Sequence, residues 1–344
     1  MWLKISLIFL IGFIANLDYG YAQEASNVEK EFNKNYDWKK YHELNETYDW
    51  LRALAKLYPK QVSLFVAGQT YEGREMLGVR IAFDNGKKAT GKRPSVFLEG
   101  GMHAREWISP AVTTYITNQL LTSTDERVRN IAESHIWYAV PHTNPDGYVY
   151  THTTDRLWRK TRKPYGKCFG ADPNRNFDFQ WNTTGTSNDP CDDLYAGPSP
   201  YSEIETRTYA DFVTKLKDEL VLHLQFHAYG QRLLFPYGYT KTLPPTYNNL
   251  KRVSDVAVPA ITKRYGTPYT GGAVSQIEYE DSGSVTDWAY GKLNIPYVYC
   301  YELRPPDDAP YNAFLLPENQ IRPTAEETMD SMVAMVEEID LVEK

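Results

Sequence analysis

Residues 95–141 read SVFLEGGMHAREWISPAVTTYITNQLLTSTDERVRNIAESHIWYAVP. SVFLEGG is a short apolar strand that stops at two glycines. AVTTYITNQLLTS has helical periodicity, and HIWYAVP is a second buried strand. Strand, helix and strand in this order make the repeating unit of a parallel sheet. The alternation continues on both sides. Upstream, YHELNETYDWLRALAKLY reads as a helix ending before Pro59, and VSLFVAG and MLGVRIAF read as strands around the turn QTYEGRE. Downstream, EIETRTYADFVTKLKDEL is an amphipathic helix that Ser202 and Glu205 are expected to open as a capping box. The strand ELVLHLQFHA follows, then a helix ending at Gly266, the apolar strand PYVYCYEL, and a last helix expected to be capped by Thr324. The pattern predicts an α/β fold. It is a single-domain sandwich with a central mixed, largely parallel twisted sheet flanked by helices.

The chain has 344 residues and 42% hydrophobic content, enough for one large domain. No repeat or Gly/Ser/Pro linker divides it. The net charge is −7 and no basic stripe appears, so nucleic acid is not an expected partner. At the N-terminus, Lys4 precedes the apolar run Ile5–Ile14, and Gly20 and Ala22 fit a small-x-small cleavage site. Residues 1–22 are therefore expected to be a signal peptide, residues 23–36 a polar tail, and residues 37–341 the folded domain. The apolar run is too short for a membrane span, so no anchor is expected and the protein should be secreted. In an oxidising compartment, Cys168 and Cys191 are expected to form a disulfide around a polar loop, and Cys300, in YVYCY, to be a buried free thiol. Asn45 and Asn182 head N-x-T sequons. Nothing argues for an oligomer, so a monomer is expected.

His103 and Glu106 form H-x-x-E in EGGMHAREW. Such spacing arises often by chance. What strengthens it is position, because in an open α/β sheet ligands sit beyond the carboxyl ends of strands. His103 follows one strand and His227 follows another. Together with Glu106 they make the His₂Glu set of a catalytic zinc, which leaves a position open for water. His223 forms H-x-x-x-H with His227, but the segment reads as a strand, so His223 is not expected at the metal. His42, His135, His142 and His152 have no partnered spacing. Glu302 ends an apolar strand, where an unpartnered carboxylate is costly, and this points to function. By themselves, Arg159 belongs to a basic cluster that reads as a solvated face, and Asn174-Arg175-Asn176 reads as a polar turn.

The stretches GGMHAREWISPA, TNPDGYVYTH, RLWRKTR, DPNRNF, FHAYGQRLLFPYGY, YEDSGSVTDWAYG and ELRP, then FLLP, occur in order. The chain from about Asp37 to Glu338 thereby resembles the zinc metallocarboxypeptidases of the pancreatic carboxypeptidase A/B type. The resemblance implies one zinc ion held by His103, Glu106 and His227, with Asp172 orienting the first histidine. It implies Glu302 as the general base and Arg159 as the group that polarises the scissile carbonyl. Asn174, Arg175 and Tyr279 match the grip on the substrate's terminal carboxylate, and Arg105, Arg156, Tyr229 and Phe314 match outer subsites. The implied substrate is the C-terminus of a peptide or protein. None of these positions is lost, which argues against an inactive binding relative. The retained clamp also argues against a hydrolase acting on other amides.

In this family the residue before the Asp of the D-W pair selects the side chain released. Here it is Thr286, small and uncharged. A buried Lys or Arg would find no counter-charge there, so neutral aliphatic or aromatic residues are expected. Glu278 and Asp281 flank Tyr279, and either one facing the pocket would restore a preference for basic residues. Family members made for digestion carry a pro-segment, whereas only residues 23–36 separate the expected cleavage site from the domain. The expectation is an enzyme active on secretion, or a sequence lacking an exon. Pro305 makes a cis Arg304–Pro305 bond accessible.

Overall fold

The computed structural model describes residues 36–84, 93–309 and 313–342. The expected signal peptide and the tail up to residue 35 lie outside them. In chain order the elements are α1 (Leu44–Leu57), β1 (Val62–Gln69), β2 (Glu75–Ile81), β3 (Ser95–Glu99), α2 (Ile108–Thr122), α3 (Glu126–Ser134), β4 (Ile136–Val140) and α4 (Pro145–Thr153). A small hairpin follows, β5 (Pro164–Tyr165) and β6 (Cys168–Phe169), and then α5 (Ile204–Leu216), β7 (Leu220–Ala228) and β8 (Arg232–Phe235). The chain continues with α6 (Tyr247–Tyr265), β9 (Thr270–Ala273), α7 (Val274–Ile277), α8 (Val285–Gly291), β10 (Tyr297–Leu303) and α9 (Ile321–Val342).

Eight strands form one mixed sheet in the order β1-β2-β4-β3-β7-β10-β8-β9. The four central strands are parallel, and the pairs β1–β2, β2–β4 and β10–β8 are antiparallel. Parallel strands covered by helices on both faces read as continuous apolar runs, and every residue of β3 is buried. Helices α2, α6 and α9 pack together as one layer. Helices α5 and α8 send Tyr209 and Thr286 to the face of β7 that carries His223, Gln225 and His227. Helix α1 buries Leu44, Tyr48, Leu51 and Leu54, spaced three or four apart. Each leucine contributes about 2 kcal/mol by leaving water.

From β3 the chain passes through α2 and α3 to β4 on one side, then later through α5 to β7 on the other. The order of connection thus reverses at β3, and the crevice beyond the carboxyl ends of β3 and β7 is where such sheets bind ligands. In register, Glu302 lies beside His227, and Cys300 and Glu99 lie on either side of Gln225.

Three local expectations need correction. Ser202 does not cap α5. Glu203 occupies the cap position, and Ser202 Oγ instead accepts from Asn176 Nδ2 and donates to Glu203. Thr324 lies inside α9, which starts at Ile321, and its hydroxyl donates back to the Gln320 carbonyl. Tyr36, the last residue of the expected tail, is buried and stacks on His42 and Trp50. Gly266 does end α6, at a positive φ of 73°, and Arg304–Pro305 is cis. Among the described residues, no helix is long and apolar enough to cross a membrane.

Candidate metal and catalytic site

The turn after β3 needs its glycines. Gly101 has φ +66°, and a Cβ there would meet the Pro141 carbonyl at 2.8 Å. This tight turn drops His103 beneath the end of β7. His103 Nδ1 lies 2.8 Å from Glu106 Oε1, and His227 Nδ1 lies 3.0 Å from His103 Nδ1 and 3.1 Å from Glu106 Oε2. All three side chains are buried, and their ligand atoms fall within 4.8 Å of one another. Two imidazole nitrogens and a carboxylate converging on one point are a donor set that fits zinc. Burial alone would raise the Glu106 carboxyl, but His103 and His227 outweigh it and hold it far below the usual range.

Behind the first histidine, His103 Nε2 meets Asp172 Oδ1 at 3.1 Å. The other oxygen of Asp172 accepts from Arg159 Nε at 3.0 Å and Nη2 at 2.8 Å. Asp172 is wholly buried, which would raise its pKa, yet Arg159 and His103 hold it well below the usual range. Arg159 also places Nη1 3.8 Å from Glu106. Asp172 Oδ1 also accepts the Asn174 amide, so one short turn, Asp172–Arg175, carries several of the predicted site residues. Asn174 Oδ1 accepts the Val285 amide at 2.9 Å. Arg175 donates to the Gly185 carbonyl, the Asn174 carbonyl and, from Nη2 at 3.1 Å, the Tyr279 hydroxyl, and it pairs with Asp281 at 2.8 Å.

His103, Glu106, Arg159, Asn174, Arg175, Tyr279 and Asp281 line one cavity of about 490 Å³. Glu302 lines it, its pKa pushed well up by burial, then by Glu278 and Glu106. Tyr229, Thr286 and Phe314 line it too. Arg105 and Arg156 stand behind its rim rather than on it. Arg156 lies over the Trp107 ring and donates to the carbonyls of Arg105 and Phe314. Arg105 lies 4.2 Å over the Phe314 ring and pairs with Asp193. Thr286 is buried and donates to Gln225 at 2.7 Å. Glu278 and Asp281 both line the cavity, each paired with an arginine, Arg232 and Arg175 respectively. Cys168 and Cys191 are bonded, and Cys300 is a buried free thiol in the cavity wall. His223 is buried away from the triad, between Tyr209 and Gln225.

Sequence reasoning missed Arg232, Asp287 and Gln225. Arg232 bridges Glu278 and Asp307 at the cavity. Asp287 accepts the amides of Gly238 and Tyr239. A signal for Gln225 was present, since polar residues at 223, 225 and 227 alternate with apolar ones in VLHLQFHA.

A family pattern described as zinc carboxypeptidase matches residues 47–331. The zinc carboxypeptidase A 1 of Drosophila melanogaster is 52% identical over 305 residues, 88% of this chain and 71% of that one. The carboxypeptidase B of Astacus astacus is 41% identical over 302 residues, 86% of this chain and 96% of that one. The crystal structure of carboxypeptidase A from Helicoverpa armigera superposes with a TM-score of 0.82 at 28% identity, covering 89% of this chain and 75% of that one.

Proposed function

This chain belongs to the zinc carboxypeptidase family, and from that premise we propose that it is a secreted, monomeric exopeptidase that removes neutral aliphatic or aromatic residues from peptide and protein C-termini. The observation that carries the reading is the convergence of His103, Glu106 and His227 beside a cavity holding Glu302, Arg159 and Arg175. His103, Glu106 and His227 would hold one zinc ion per chain, which would supply Lewis acidity there. The chain's own groups do the rest. Arg175, Asn174 and Tyr279 hold the terminal carboxylate, which limits cleavage to a free C-terminus. Arg159 steadies charge developing on the scissile carbonyl oxygen. Glu302, its basicity raised by burial and neighbouring carboxylates, takes a proton from the attacking water and returns it to the leaving amine.

Support for a neutral residue comes from the cavity wall. Leu234, Val274 and Ile277 line it, Thr286 is uncharged, and Glu278 and Asp281 are already paired with arginines. One observation favours release of basic residues instead. Asp281 Oδ1 is buried and has no hydrogen-bond partner among the described residues. A panel of blocked dipeptides ending in Phe, Leu, Lys, Arg and Glu, assayed with and without a zinc chelator, tests both. Faster turnover of Lys than Phe would overturn the neutral reading, and activity indifferent to chelation would overturn the metal.

A further inference from the structure

A line of buried side chains runs from the cavity into the core. Thr286 Oγ1 donates to Gln225 Oε1 at 2.7 Å, and Gln225 Nε2 lies 3.3 Å from His223 Nδ1. His223 Nε2 lies 2.8 Å from the Tyr209 hydroxyl, which donates to Glu99 Oε2. All five residues are buried. Burial pushes His223 down to about 3, so its ring is neutral and carries one N–H. With the Gln225 amide nitrogen on Nδ1, that N–H sits on Nε2. Every link then donates in the same sense, toward Glu99, and turning one link around requires turning them all.

Building on the reading that the pocket takes neutral side chains, we propose that Gln225 is a positioning residue for specificity: it takes the hydroxyl proton of Thr286, leaves an acceptor facing the bound side chain, and so favours a C-terminal tyrosine over phenylalanine. Thr286 has a single proton, and it is spent inward. What its oxygen offers to the cavity it lines is lone pairs. Asp281 also lines the cavity, with its Oδ2 held by Arg175. Arg232, which also lines the cavity, is taken by Glu278 and Asp307. A phenylalanine ring filling this pocket covers the Thr286 acceptor and returns nothing. A tyrosine supplies an O–H, and sites built to hydrogen-bond a substrate hydroxyl discriminate against the analogue lacking it.

The test compares kcat/KM for blocked dipeptides ending in Tyr, Phe and Lys with the zinc-loaded enzyme. Tyr should exceed Phe by about three- to tenfold, one neutral hydrogen bond's worth, chiefly through KM. Thr286→Val keeps the shape, removes the acceptor and should bring the ratio to about one. Gln225→Met, which frees the Thr286 proton to turn into the pocket, should lower the ratio. Gln225→Glu keeps an acceptor for that proton and should preserve it. A wild-type ratio at or below one, or one that survives Thr286→Val, overturns the proposal while leaving the neutral reading intact if Lys stays slow. Lys faster than both overturns the neutral reading itself.

Discussion

Asp172 joins the two halves of the site, and replacing it with asparagine separates their contributions. One carboxylate oxygen meets His103 Nε2 and the other takes two N–H groups of Arg159. An asparagine of the same shape has one acceptor end and one donor end. With its oxygen toward Arg159, its NH₂ faces the His103 N–H. With its oxygen toward His103, its NH₂ faces the guanidinium. Arg159 has only 10% of its side chain exposed, and breaking a buried ion pair by removing one partner costs about 3–5 kcal/mol. The low end applies, because Glu106 stands 3.8 Å away as a second counter-charge. At about 2 °C per kcal/mol for a domain of this size, the metal-free variant should melt about 6 °C below wild type. Loss of the carboxylate behind a metal-binding histidine costs about 10- to 100-fold in affinity, or about 1.4–2.7 kcal/mol. Calorimetry of the metal-free protein reads the first effect, and competition against a chromophoric chelator reads the second. If zinc affinity stays within about twofold of wild type, Asp172 does not orient a metal-bound His103. If the metal-free melting point also stays put, the Arg159 pair is not the buried interaction described above.

Glu302→Gln should lower kcat by at least about 100-fold, the scale of a lost general base, with zinc stoichiometry unchanged. Near-normal turnover refutes the assigned role. Removing the disulfide with Cys168→Ser and Cys191→Ser releases a loop with a sequence separation of 23 and should cost about 3 kcal/mol by loop entropy. Because the term acts on the unfolded chain, kcat/KM of the folded variant should hold within about twofold, and an unchanged melting point refutes it. His142 and His223 are buried and pushed down to about 3, so below pH 6.5 the unfolded chain gains protons that the folded one refuses. Stability should be full above pH 6.5 and fall by about 1.4 kcal/mol per unit for each histidine, about 4 kcal/mol for both by pH 5. A urea midpoint of the metal-free protein that stays flat from pH 6.5 to pH 5 refutes this.

The central layer was legible because burial leaves a plain mark on sequence. SVFLE, VLHLQF and YVYCYEL are short apolar runs, and apolar runs separated by helices give a parallel sheet. The cluster of His103, Glu106 and His227 was legible because two of its members stand at strand ends. The contacts among Asn174, Arg175 and Tyr279 were not. Asn174 and Arg175 sit on a turn whose polar residues look like any solvated loop, and only the ordered resemblance singled them out. Helix caps went wrong at Ser202 and Thr324, where a good local signal lost to tertiary contacts with Asn176 and to an earlier helix start. Arg105 and Arg156 were assigned to the subsites by position in the chain. In the fold their donors hold backbone carbonyls and Asp193 behind the rim, a use that no spacing rule reveals. Arg232 was invisible for the opposite reason, since a lone arginine at the start of an apolar strand marks a turn as readily as a cavity wall.

The proposed clamp also differs from the simple fork that an arginine suggests. Arg175 has five N–H groups. One is on the Gly185 carbonyl, the Nη1 group is taken up by a bond to the Asn174 carbonyl and an ion pair with Asp281 at 2.8 Å, and one from Nη2 goes to Tyr279. That leaves one N–H on Nη2, so a bidentate grip on a carboxylate is not on offer from Arg175 alone. Asn174 has its Oδ1 fixed by the Val285 amide, which turns its NH₂ the other way as a donor. Tyr279, half exposed at the cavity mouth, accepts from Arg175 and keeps its own O–H proton to donate to a ligand. On the proposed reading, then, the substrate carboxylate is met by three single donors on two loops, with Asp281 holding the arginine in place before it arrives. Preorganisation of this kind lowers the entropy lost on binding, and it makes the grip depend on Asn174 and Tyr279 as much as on the charge.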